Sequence, residues 1–170
     1  MSIIVSFYKG ENVHPLKYTI QEMWTWEGRQ IEGIHTFIQW LFPLNEASAN
    51  SFNAPILSKE DIEEFKSDDV MRQNLMKSFR IMLRYYGFAF TDDELSIAKA
   101  NDFETRSGWI YPSNHNYLRI SRILKCLMLL DFQDEAQMLF SELKEIYRTH
   151  SKYIDPITYQ YWCKAVGSKG

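Results

Sequence analysis

The sequence predicts an all-α fold: a single compact multi-helix domain spanning residues 1–170, with a short extended N-terminal arm. Three observations predict it. Apolar residues recur at helical spacing through most of the chain, and Ser/Thr residues followed three positions later by Asp/Glu mark helix starts. The 170 residues are 45% hydrophobic and 15% aromatic, enough to build a bulky interior, and no repeat period, low-complexity tract or linker divides them.

The elements follow in order. Ile3 to Tyr8 are β-branched or aromatic, and Lys9-Gly10-Glu11-Asn12 breaks the run, so the chain is expected to open as an extended arm rather than a helix. Thr19 and Glu22 form a capping box for a short helix carrying Ile20, Met23 and Trp24 and ending near Gly28. A second helix is predicted from about Gln30 to Phe42. Ile31, Ile34, Ile38 and Leu41 share one face of it, Phe37 and Phe42 flank that face, and Pro43 stops it. From Pro43 to Leu57 the residues are those of an ordered loop, anchored by Phe52, Ile56 and Leu57.

Ser58, with Asp61 at its N3 position, starts the next helix. Ser67 with Asp68 and Asp69 starts another, which carries Val70, Leu75, Phe79, Met82, Leu83 and Tyr86 and is closed by Gly87. Thr91-Asp92-Asp93-Glu94 reads as a capping box opening a brief helix through Ala100, with a polar connection from Asn101 to Gly108 behind it. Ser113 or Asn114 caps the most apolar element, Asn116 to Leu130. There Ile120, Ile123, Leu124 and Leu127 form one face while Leu118 and Leu129 lie on the other, which predicts a central helix. The following helix carries Ala136, Leu139, Phe140, Leu143, Ile146 and Tyr147, and Asp155-Pro156 opens the last one before Gly167. Trp40 and Leu124 are expected to be fully buried.

Charge and cysteine usage bound the function. A net charge of -3 gives no overall attraction to phosphate backbones, so nucleic acid is not an expected partner. Cys126 and Cys163 lack CxxC spacing and sit in apolar surroundings, as reduced core thiols do; together with an N-terminus free of a basic, cleavable leader and too short an apolar run for a membrane span, this predicts a cytoplasmic protein. The histidines, His14, His35, His115 and His150, show no metal-ligand spacing, and no nucleophile elbow or glycine-rich phosphate loop is present. No cofactor and no catalytic residue is assigned, and the chain is not expected to be an enzyme.

Two polar sets flank the apolar faces. On the predicted helix from Gln30, Glu32, His35 and Gln39 are spaced i, i+3, i+7, with Trp40 beside them; on the central helix, His115, Arg119 and Arg122 are spaced i, i+4, i+7, with Asn116 toward a neighbouring face. Should the two flanks meet, they would form a polar seam, either a buried structural network or a ligand site. These eight residues are the candidate ligand-binding set.

Two blocks resemble a known family. His35 to Leu44, HTFIQWLFPL, and His115 to Leu127, HNYLRISRILKCL, are similar to the most recognisable stretches of the opioid growth factor receptor conserved-domain family. Phe37 stands where that family has Tyr and Ser121 where it has Thr. Weaker similarities, in Phe7-Tyr8, Ala54-Pro55 with Leu57, and Leu83 to Gly87, extend the likeness over roughly Phe7 to Phe140. Animal members are receptors for the pentapeptide met-enkephalin that act at the nucleus. The chain lacks their polar C-terminal repeats and basic import stretches, and is expected to be the conserved domain standing alone, as in a microbial relative. The resemblance implies a non-enzymatic module that binds a peptide or protein segment in an aromatic-walled groove. The alternative is a phosphate-, nucleotide- or RNA-handling protein, enzyme or binder, that uses His115, Arg119 and Arg122.

Overall fold

Ser2 decides how the chain begins. Its hydroxyl accepts from the backbone N–H of Val5 and caps a helix, α1 (Ile3–Tyr8), where the sequence predicts an extended arm. The β-branched residues that argue for extended backbone are overridden by burial: Ile4, Val5, Phe7 and Tyr8 all face the interior. The computed structural model describes residues 1–14, 16–49, 51 and 53–169. The loop anchor Phe52 lies outside them. The fold is mostly α, as expected, and the chain resolves into two compact units, Met1–Ile81 and Met82–Gly170.

In the first unit, the Thr19–Glu22 capping box forms and starts α2 (Ile20–Trp24). The long helix expected from Gln30 to Phe42 is instead two short ones, α3 (Gly28–Gly33) and α4 (Phe37–Leu41), with Ile34 in extended geometry between them. Gly33 is a weak helix former, and β-branched Ile34 and Thr36 flank His35, so propagation through this point has little to support it. Pro43 does close the segment, one residue beyond the C-cap Phe42. The loop that follows is tied by a bridge between Leu44 and Ile56. Ile56 itself is exposed, leaving Leu57 as the buried anchor.

Ser58 and Asp61 form the expected capping box of α5 (Lys59–Ser67). Asp61 is buried, and its second carboxylate oxygen accepts from the Ser2 hydroxyl at 2.6 Å, which joins the starts of α1 and α5. Lys9 at the end of α1 reaches Glu64 at 2.6 Å. Asp68 accepts from the N–H of Met71 and opens α6 (Asp69–Tyr86), which begins in the first unit and ends in the second. Its stripe is as expected except for Val70, which is exposed.

In the second unit, Gly87 ends α6 with φ +90°, a conformation natural to glycine. The helix expected after Thr91 is a hairpin: β1 (Phe88–Phe90) pairs antiparallel with β2 (Ile97–Lys99). Thr91, the expected cap with Glu94 at N3, instead spends its side chain with Asp93 inside the turn. Asp93 accepts from the Thr91 hydroxyl and the Leu95 N–H, and Glu94 takes a left-handed φ of 58°. The polar connection contains α7 (Phe103–Arg106) and a 3₁₀ turn (Ser107–Trp109) that bury Phe103 and Trp109.

Asn114 accepts from the N–H of Asn116 and starts α8 (Asn116–Leu129). α9 (Gln133–His150) and α10 (Pro156–Ala165) pack against it and each other, α10 opening at the Asp155 cap as expected. Leu124 is wholly buried, and Cys126 and Cys163 are free, buried thiols. The expectation that α8 is covered on both sides fails at Leu118, which is 56% exposed. No helix among the described residues is long and apolar enough to cross a membrane.

Candidate functional site

The first unit distributes its four candidate residues over three local settings. Glu32 lies near the end of α3, His35 sits exposed in the break, and Gln39 and Trp40 belong to α4. With the helix interrupted, Glu32, His35 and Gln39 are not a stripe on one helical face; the i, i+3, i+7 reading required continuous backbone. Gln39 is buried and its amide donates to the Ser48 hydroxyl at 3.3 Å. Trp40, expected in the core, is half-buried and meets Phe7 edge-on, centroids 5.5 Å apart.

A polar chain that sequence reasoning missed runs beneath these residues. The indole of Trp24 donates to Ser78 Oγ at 3.0 Å, Ser78 Oγ and the Tyr8 hydroxyl are 3.1 Å apart, and the Tyr8 hydroxyl donates to the carbonyl of Leu41. A phenol has one proton and a carbonyl can only accept, so the Ser78 hydroxyl supplies the proton between them. The chain links α1, α2, α4 and α6. Its only local signal was a serine inside the apolar stripe of α6.

In the second unit the four candidates are adjacent on α8, but burial separates their roles. Asn116 and Arg119 are buried, and Asn116 Oδ1 accepts both from the Tyr86 hydroxyl at 2.9 Å and from Arg119 Nη1 at 3.4 Å. They form one interior network with the end of α6. His115 precedes the helix with its Nε2 buried, and Arg122 is half-buried one turn before Cys126. Burial pushes the Cys126 thiol well up, with the Arg122 charge acting in the other direction. Among the described residues, no group of three His, Cys, Asp or Glu is placed to hold a metal ion.

Tyr117 is the second hub that sequence reasoning missed. Its hydroxyl donates to the carbonyl of Tyr153 at 3.3 Å and takes a backbone hydrogen bond from Tyr111; its own carbonyl accepts from the indole of Trp162 at 3.1 Å. The ring meets Trp109 and Trp162 edge-on, at 6.3 and 5.9 Å. Burial pushes its phenol up to about 12. The elements that bond to or adjoin this buried hub bear exposed apolar side chains. Tyr111 and Tyr153 are its bonding partners, Leu118 follows it, Tyr161 precedes Trp162, and Ile157 lies one turn before Tyr161 on the outward face of α10. Ile157 is 61% and Tyr161 49% exposed. On α8 the outward stripe 115, 118, 122 sets His115 and Arg122 on either side of Leu118.

Comparison with known proteins places this arrangement in a family. The sequence profile described as "Opioid growth factor receptor (OGFr) conserved region" matches residues 2–169, across both units. The chain is 37% identical over 133 residues to opioid growth factor receptor-like protein 1 of Mus musculus, a match covering 75% of this chain and 28% of that protein. It is 36% identical over 128 residues to the opioid growth factor receptor of Mus musculus (72% of this chain, 20% of the receptor). To the Homo sapiens receptor it is 34% identical over 128 residues, 72% of this chain and 19% of the receptor. The chain thus spans less than a third of the length of these relatives. No solved structure matches it. Because the family's region extends over nearly every residue, including both blocks that carry the resemblance, the chain belongs to the opioid growth factor receptor conserved-region family.

Proposed function

We propose that this chain is a non-enzymatic binding module that takes a peptide or protein segment, with residues 1–170 acting as one domain. The observation that carries the reading is the exposed apolar set held around Tyr117: Leu118 on α8, Ile157 and Tyr161 on α10, and the flanking Tyr111 and Tyr153. Scattered surface apolar residues are ordinary, but five borne by elements that bond to or adjoin one buried hub are the anatomy of a contact face, and tyrosine supplies contact area at low entropic cost. The receptor names of the relatives support a protein or peptide partner.

Within this reading the sequence-derived set divides by role. His115 and Arg122 border Leu118 on α8, and Glu32, His35 and Trp40 lie wholly or partly at the surface of the first unit. Gln39, Asn116 and Arg119 are buried and act by holding backbone and neighbours in place. Burial of Arg119 disfavours the phosphate-gripping alternative, since a guanidinium tied to Asn116 inside the unit is a poor first contact for an anion. The buried free thiols Cys126 and Cys163 support a cytoplasmic location.

The test is selection of a random peptide library on the whole chain and on Leu118→Asp, the two matched by circular dichroism. Peptides enriched on the wild type and lost on the variant are the expected result. Equal enrichment on both, or none on either, overturns the reading.

A further inference from the structure

The surface around the Tyr117 hub is basic in a chain that is acidic overall. The full sequence carries 22 acidic against 19 basic residues, yet residues 107–130 contain no Asp or Glu and do contain, besides the buried Arg119, the cations Arg122 and Lys125. Residues 151–169 contain Asp155 alone against Lys152, Lys164 and Lys169. Asp155 is engaged as the cap of α10, accepting from the Thr158 N–H at 2.7 Å. By contrast α9, which packs against both helices, carries Asp134, Glu135, Glu142 and Glu145 against Lys144 and Arg148. The acidic residues of this unit are thus absent from the two helices that present the exposed apolar set.

Position sharpens this. On α8 the outward stripe runs Leu118, Arg122, Lys125, and on α10 it runs Ile157, Tyr161, Lys164. Each helix therefore offers an apolar start followed by a cation toward its C-terminal end. Lys152 lies over the ring of Tyr153, its Nζ 5.8 Å from the centroid, adding a third cation beside an exposed aromatic.

We infer that this face receives an acidic peptide segment with apolar side chains, either a partner's exposed helix or an extended strand of its chain. This rests on the binding reading above. Leucine or aromatic residues of the segment would pack on Leu118, Ile157 and Tyr161, while Asp or Glu would meet Arg122, Lys125 and Lys164. Apolar contact supplies affinity; the basic rim supplies encounter rate and rejects basic segments. Single-stranded RNA is the less favoured anion: the chain is acidic overall, and beside the exposed tyrosines the aliphatic Leu118 and Ile157 give bases no flat surface on which to stack.

The experiment uses peptides enriched in the library selection, resynthesised with each Asp and Glu replaced by Lys, and a fluorescent oligouridine, all titrated by anisotropy against the whole chain at two salt concentrations. Acidic originals should bind, lysine versions should not, and Lys125→Glu with Lys164→Glu should weaken binding roughly tenfold and flatten its salt dependence. Both lysines are exposed, and matched melting curves establish that the double variant folds. Enriched peptides without acidic excess, or lysine versions binding as well, overturn the acidic inference while leaving the binding reading intact. Oligouridine binding more tightly than any peptide, or no peptide binding at all, overturns both.

Discussion

Replacing Ser78 with alanine tests whether the first unit is held by a connected polar chain. Ser78 is wholly buried and accepts from the Trp24 indole at 3.0 Å while supplying the proton to Tyr8, 3.1 Å away. Alanine removes both bonds without opening a cavity of note. Each is worth about 1 kcal/mol net, and the stranded indole N–H adds a desolvation cost reduced by the half-exposed setting of Trp24. The expected loss is about 2 kcal/mol, or roughly 4–8 °C in melting temperature for a chain of this size. Tyr8→Phe should cost a similar amount because the buried Leu41 carbonyl loses its donor. Since the two share a bond, the double variant should be less destabilised than the sum by about 1 kcal/mol. Urea unfolding followed by circular dichroism gives all three values. Additive effects, or a Ser78→Ala cost below about 0.5 kcal/mol, would refute the connected chain.

Two further outcomes follow from burial and protonation. Trp162→Ala should cost about 3–5 kcal/mol, because the ring is fully enclosed and its N–H bonds to Tyr117, whereas half-buried Trp40→Ala should cost clearly less and Lys169→Ala nothing; similar urea midpoints for Trp162→Ala and Trp40→Ala would contradict the burial assignment. Burial raises the Tyr117 phenol from 10.0 to about 12 and raises the Cys126 thiol as well, so the native state keeps protons that the unfolded chain releases. Stability from these groups is fully present below roughly pH 9 and is lost as pH rises beyond it. Calorimetry should show the melting temperature falling through that window and falling less in Tyr117→Phe; a parallel fall in the two proteins would refute the assignment to Tyr117.

Much of the fold was legible because helix starts are local. The Thr19–Glu22, Ser58–Asp61 and Asp155-Pro156 signals each work within one turn of chain, and each forms as the residues dictate. Where local chemistry permits two outcomes, the sequence pattern misleads. The stretch Thr91 to Glu94 can cap a helix or close a hairpin, and the choice falls to Phe88 and Ile97, buried on the paired strands. At Ser2 the capping serine was visible, but the β-branched run behind it argued for extended backbone.

The candidate site was legible as residues but not as roles. Asn116 and Arg119 turn inward because Tyr86, thirty positions earlier, supplies the third member of their network, and no spacing rule spans that distance. Leu118 shows the converse: its place in an apolar helix predicts cover, yet among the described residues no neighbouring element covers it in the fold.

The placement of the tryptophans gives the molecule its own optical label. Of the five, Trp24, Trp26 and Trp40 are half-buried in Met1–Ile81, and Trp109 and Trp162 are buried in Met82–Gly170. Indole emission shifts to the red as water reaches the ring, so the half-buried indoles of the first unit should emit to the red of the buried pair in the second. Heating an unlabelled sample while recording both edges of the band distinguishes a chain that melts as one cooperative body, whose edges move together, from one whose two halves give way at separate temperatures.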